Sequence, residues 1–336
     1  MKRSTAKNPL LRLTALAVGA LLLAGCTSSG APADETPDES IPETAEAPAE
    51  VRISGPASPP SLPILRMIET DALGDTELVF DRWETADQLT AAATGGQEFI
   101  AAPLTTGAAL AQNGAGIQLL NVSAWAVMGL VTNDDSVQGV EDLAGKQVHV
   151  AMRASAVDYT MQLVLAAHDL TDDVEVVYID PLNGPEQFLA GQISTLVTVE
   201  PQVTMLLAGA QGARSVVDFA QEWRSLTESD EPLPTAGTFV NAEFAKLHPQ
   251  TVAAFREAYA EAAAWVAEHP EDAGALAGEH LGLPAPIVAA AIPKISWEAA
   301  SAAEAEPAVA LYFEQLFARW PESIGGALPE AGFFFE

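Results

Sequence analysis

Cysteine is nearly missing from these 336 residues: Cys26 is the only one. No disulfide can form within the chain and no cysteine cluster can hold a metal. Bases are scarce as well, 15 against 46 acids, for a formal charge of −31. A surface this acidic excludes nucleic acid, whose phosphates require clustered Lys and Arg, and it opposes adsorption to anionic lipid. The histidines His149, His168, His248, His269 and His280 lie far apart, with no HExxH spacing and no cysteine partner. There is no GxGxxG, no P-loop, and no Ser, His and Asp order that falls on one rim. The signatures of metal, nucleotide and nucleophilic chemistry are therefore wanting, so no enzyme activity, metal or cofactor is expected. After Cys26, Gly, Pro or charge interrupts every apolar segment before it reaches the ~20 residues that a membrane-spanning helix needs.

What the chain does have begins at its start. Lys2, Arg3, Lys7 and Arg12 precede an uncharged stretch, 13–23, which is the basic and then apolar pattern of a secretory signal. It leads into 21–26, LLLAGC, and Leu23-Ala24-Gly25-Cys26 resembles the lipobox of bacterial lipoproteins, where cleavage before the cysteine frees it for acylation. The expectation is a signal peptide over 1–25, lipidation at Cys26, and an extracytoplasmic protein anchored to the bacterial cell membrane. Removing the signal takes four bases and no acid, leaving 11 bases and a formal charge of −35. Attachment must then be covalent, and two or three acyl chains hold where one binds marginally. Residues 27–50 carry seven acids among Pro, Ala, Ser and Thr, with neither base nor aromatic. Such a segment buries too little apolar surface to offset its ordering entropy, so 26–50 reads as a lipidated, disordered acidic linker.

From Val51 onward, short apolar runs alternate with helical patterns. Strands are predicted at 51–54, 77–81, 99–102, 117–121 and 127–132, with helices at 62–70, 86–94 and 105–113. A second series follows: strands at 148–151, 174–179, 195–199 and 214–217, with helices at 157–168, 185–190 and 201–209. This alternation implies an α/β protein of two lobes, each a mostly parallel sheet flanked by helices. After a strand at 236–240 the chain turns helical. His248-Pro249 opens the clearest helix, with Val252, Phe255, Tyr259, Ala262, Ala263 and Val266 on one face. A helical C-terminal segment packs most economically back on the first lobe. The predicted division is 51–145 plus 234–336 for lobe one and 146–233 for lobe two.

The order of elements, SVQGVEDLAGKQVHV (136–150) and LAGQISTLVTVEPQVTML (189–206) resemble the solute-binding lipoproteins of ABC importers. VRISGPASPPSLP, GGQEFIAAPLTTGAAL and the opening of the helical tail extend the match over about 51–336. The nearest group is the nitrate, sulfonate, taurine and thiamine-precursor binding family. The resemblance implies a two-lobed, type II periplasmic-binding-protein-like fold whose hinge closes on a small solute. It also implies an ABC permease and its ATPase as partners, and a monomer. A small organic anion or a flat heterocycle is the expected solute; a ligand-sensing lipoprotein, or less favourably an enzyme on the same fold, is the alternative.

In open α/β sheets ligands bind beyond the carboxyl ends of strands, where loops enter helices. The candidate binding residues lie there. Ser58 and Ser61 lie in the proline-fixed loop GPASPPS, and Thr105 and Thr106 follow the third strand. Each can cap its helix or donate to a ligand. Arg153, beside Ser155, is one of few bases and sits in a strand-to-helix turn, suited either to an anion or to a salt bridge. Trp125 is placed to stack on a planar ligand or to fill the core. Glu200, in a Glu-Pro pair that resembles the family's, can accept from a ligand or cap a helix. Thr238, with Gly237, lies at the return crossing between lobes.

Overall fold

The computed structural model describes residues 46–336. Cys26, the signal segment and all of the linker before Glu46 lie outside the described residues. The alternation predicted for the first series is observed as β1 (Glu50–Pro56), α1 (Leu62–Glu69), β2 (Glu77–Trp83), α2 (Ala86–Thr94), β3 (Phe99–Pro103), α3 (Leu104–Gln112) and β4 (Ile117–Trp125). β1 pairs in parallel with β2 on one side and β3 on the other. Phe99 to Ala102 are buried without interruption, the pattern of a strand covered on both faces. α2 starts at a capping box, in which Thr85 and Gln88 satisfy each other's free backbone N–H groups.

Ala126 and Val127 then carry the chain into a second sheet. It is built from β5 (Met128–Thr132), β6 (Gln147–Ala151), α4 (Ala156–Ala167), β7 (Glu175–Ile179), α5 (Asn183–Leu189), β8 (Thr195–Val199), α6 (Gln202–Gly209), β9 (Arg214–Val217) and α7 (Phe219–Thr227). The strand order is β7-β6-β8-β5-β9, with β6 parallel to β7 and β8, and β5 antiparallel to β8 and β9. The sequence assigned 127–132 to the first series, whereas this strand belongs to the second sheet. All five residues of β5 are buried, so its pattern names no partner; the left-handed Ala126, at φ 47°, turns it away from β4. α7 went unpredicted although Asp218 caps it, accepting from the N–H groups of Ala220 and Gln221.

The return passes through 228–233 into β10 (Pro234–Asn241), α8 (Ala242–Leu247), α9 (Pro249–Glu268), α10 (Pro270–Leu281), α11 (Ala285–Ala291), β11 (Ala300–Ser301) and α12 (Ala302–Phe317). β10 inserts antiparallel between β3 and β4, giving the order β11-β4-β10-β3-β1-β2. Each sheet is thus mixed, parallel around β1 or β6 and antiparallel where the chain passes between sheets. α9 packs on the first sheet through the predicted face, all of it buried, and Phe255 stacks on Phe99 at 3.9 Å. Burial of each such ring contributes roughly 3 kcal/mol.

The two crossings run side by side. Ala126 donates its N–H to the Leu233 carbonyl at 3.0 Å, and the Thr235 hydroxyl donates to the Ala124 carbonyl at 2.7 Å. One apolar cluster continues from Ile100 and Leu119 in the first sheet through Trp125 to Leu130 and Val150 in the second. It extends to Trp223 on α7 and Tyr312 on α12, whose rings meet edge-on at 5.8 Å. Among the described residues no helix is long and apolar enough to cross a membrane.

Candidate functional site

The carboxyl ends of the parallel strands in both sheets converge on one cavity of about 240 Å³. From the first sheet come Pro56 at the end of β1, Trp83 at the end of β2 and Pro103 at the end of β3, together with Ser123 and Ala124 of β4. Ala151 and Met152 after β6, Pro181 after β7, and Val199 and Glu200 after β8 face them from the second. Ile295 and Trp297, between α11 and β11, complete the wall. Among the described residues, Glu200 is the one ionisable side chain in the lining. Two indoles, prolines and aliphatic groups supply most of the rest.

Three of the predicted residues line this cavity: Ser58, Ser155 and Glu200. Ser155 is largely spent on structure, because its hydroxyl bonds to the Met152 carbonyl at 2.8 Å and accepts from the Asp158 N–H at the head of α4. Glu200 is 7 % exposed. One of its oxygens accepts from the Thr204 N–H at 3.0 Å, and its own N–H donates to the Val127 carbonyl at the crossing. The Thr204 hydroxyl in turn accepts from Lys294 Nζ at 2.8 Å. Lys294 follows α11, which packs against α6, so this pair joins the first-sheet side of the molecule to the second.

The other predicted residues lie off the cavity. Ser61 is buried and donates to the Pro56 carbonyl at 2.6 Å, bracing the proline loop from below. Thr105 is buried in the first turn of α3, with Thr106 half-buried beside it. Trp125 is a core residue whose indole N–H donates to the Glu298 carbonyl at 2.8 Å. Arg153 is exposed, its guanidinium 5.1 Å from the centre of the Tyr178 ring. Met152 and Ala154 on either side of it are both left-handed, at φ 61° and 59°, and Asp158 holds the turn by accepting from the Ala154 N–H. Thr238 is fully buried in β10.

Sequence reasoning missed Trp83, Trp297, Ser123 and Gln202, all in the lining. Trp83 had a signal, since it ends a parallel strand; its indole N–H donates to the Ala101 carbonyl at 3.0 Å, which fixes the ring. Trp297 is fixed likewise through the Ile292 carbonyl but sits in a connection with no local signature. Behind the first sheet, Tyr259 of α9 donates to the Pro60 carbonyl at 3.1 Å. Burial pushes its phenol up to about 12, with the nearby Ser123 and Thr238 hydroxyls acting the other way.

Two mixed sheets with paired crossings and facing strand ends define the periplasmic-binding-protein class of fold, and solved structures share it. An ABC transporter from Parabacteroides distasonis is 18% identical with a TM-score of 0.75, covering 86% of this chain and 99% of its own. The alkanesulfonate-binding protein SsuA from Xanthomonas axonopodis pv. citri, solved bound to MOPS, is 17% identical with a TM-score of 0.65, covering 86% and 98%. The periplasmic nitrate-binding protein NrtA from Synechocystis PCC 6803 is 16% identical with a TM-score of 0.53, covering 71% and 68%. Residues 77–273 match the family described as NMT1/THI5 like, which is more than half of the chain, and the chain belongs to that family. A search of curated protein sequences finds no match.

Proposed function

We propose that this chain is the extracytoplasmic solute-binding component of an ABC importer, held at the membrane by a lipid on Cys26. The interlobe cavity carries the reading: it lies at the switch points of both sheets, it is walled by Trp83 and Trp297, and Glu200 is its only ionisable group among the described residues. Those walls suit a flat, largely apolar solute and, of the two classes expected, favour the heterocycle over the anion, because Arg153 stands outside. Glu200 offers a carboxylate oxygen to a donor on that solute. The lobes divide at the paired crossings, 126–127 and 228–233, and closing about them buries the solute for delivery to the permease. Binding and release suffice for this role, with no covalent step, and the protein acts as a monomer.

Thermal-shift screening of the chain after residue 26 tests the reading. At 100 times its dissociation constant a specific solute stabilises by ~2.7 kcal/mol. Flat heteroaromatics are expected to raise Tm, and Trp297→Ala to abolish the rise. Shifts confined to sulfonates or nitrate would refute the heterocycle preference, and turnover of any hit would refute a purely binding role. Cys26→Ser is expected to leave the protein unprocessed or released from membranes, by cell fractionation, while solute affinity stays unchanged.

A further inference from the structure

The cavity wall carries a single charge, and no ion pair balances it. Glu200 is 7 % exposed and is the one ionisable side chain in the lining among the described residues. Among those residues no ion pair includes it, and its carboxylate accepts from the Thr204 N–H alone. Three bases adjoin lining residues in the chain, Arg82, Arg153 and Lys294, and all are exposed. They are engaged with Glu84, the Tyr178 ring and the Thr204 hydroxyl in turn. Water screens those three, whereas the apolar walls around Glu200 screen little. The aromatic walls favour the same sign of partner. The indole N–H groups of Trp83 and Trp297 are committed to the carbonyls of Ala101 and Ile292, so each ring offers a ligand its π-system and no donor. Among aromatic side chains, indole attracts a cation most strongly.

We infer that the solute is an organic cation, a flat ring system whose positive charge sits on a protonated or quaternary nitrogen, and that Glu200 selects it. This rests on the solute-binding reading above and adds the sign of the charge. A carboxylate in apolar surroundings acts over several ångströms, so it discriminates by charge without a direct bond to the solute. Closure sharpens the discrimination. As the lobes close they remove water from Glu200: a neutral solute leaves that charge buried and unpaired, an anion adds repulsion, and a cation compensates it. A ligand shifts the balance only through its better affinity for the closed state, so the cation is the solute on which this cavity closes. The excess of acids over bases, 46 against 15, also draws a cation towards the protein before it binds.

Isothermal titration at slightly alkaline pH with three ring-matched probes tests the sign: 1-methylquinolinium, a permanent cation without an N–H; 4-methylquinoline, neutral under those conditions; and quinoline-4-carboxylate, an anion. The cation is expected to bind about tenfold more tightly than the neutral probe, which is about 1.4 kcal/mol, and the anion more weakly than both. Glu200→Gln keeps the size of the side chain and an oxygen for the Thr204 N–H, and it is expected to bring cation and neutral probe to equal affinity. The wild-type comparison decides the sign even where that variant folds poorly. Equal affinity of the wild type for cation and neutral probe, a preference for the neutral probe or the anion, or a preference for the cation that survives in Glu200→Gln overturns the assignment and leaves the solute reading standing. So does failure of flat cations at millimolar concentration while a neutral flat heteroaromatic binds. Binding of no flat heteroaromatic, charged or neutral, overturns both.

Discussion

Lys294→Ala tests whether the cavity is held closed by contacts outside it. Lys294 Nζ donates to the Thr204 hydroxyl at 2.8 Å, while the Thr204 N–H donates to Glu200, so the ammonium reaches the second sheet's helix two residues beyond Gln202 of the cavity wall. A hydrogen bond involving a charged group contributes ~1.5–3 kcal/mol, but Lys294 is exposed and solvent screening brings this to ~1 kcal/mol or less. Losing ~1 kcal/mol lowers the ratio of closed to open molecules about fivefold. When the open form predominates without solute, the apparent dissociation constant rises by that same factor of about five. Isothermal titration measures the affinity, and small-angle scattering of the free and saturated protein measures how far each population closes. Thr204→Val removes the hydroxyl and keeps the N–H for Glu200, so a double-mutant cycle isolates the pair, with an expected coupling of ~1 kcal/mol. Unchanged affinity in Lys294→Ala, or strictly additive variants, would refute the tie.

Gly237→Ala should destabilise strongly, because a Cβ there would lie 2.1 Å from the Asn121 carbonyl oxygen, backbone that cannot yield cheaply. Urea denaturation is expected to show a loss of ~1–3 kcal/mol or more, and an unchanged midpoint would contradict the β10/β4 approach. Stability should fall as pH rises from ~10 towards 12: the unfolded chain releases the Tyr259 proton near 10, the folded one only near 12, so the folded form is favoured while the phenol stays protonated. Tyr259→Phe should flatten part of that fall, and an unaltered profile would mean the phenol is not buried as described. Arg153→Ala should leave solute affinity within about twofold, since its guanidinium sits over Tyr178 and solvent screens it at distance; a larger loss by titration would place it in the site after all.

Strand and helix positions were legible because they are local properties: the apolar runs at 51–54, 99–102 and 195–199 and the buried stripe of α9 announce themselves residue by residue. Sheet membership is not local. β5 is apolar on both faces, and whether it continues the first sheet or starts the second depends on the left-handed backbone of Ala126, which an alanine does not advertise. The same physics divides the site. The strand-end rule found Ser58, Ser155 and Glu200, because where a parallel strand ends is also a local property. It could not find Ser123, which lines the cavity from within β4 and not from a strand end. Arg153 satisfied the rule and is nevertheless turned outward, between two left-handed residues of types that seldom adopt that conformation. Charge is read from composition, but its direction is set by backbone handedness. For this cavity that difference decides the charge, because with Arg153 turned away the one ionisable side chain in the lining, among the described residues, is Glu200.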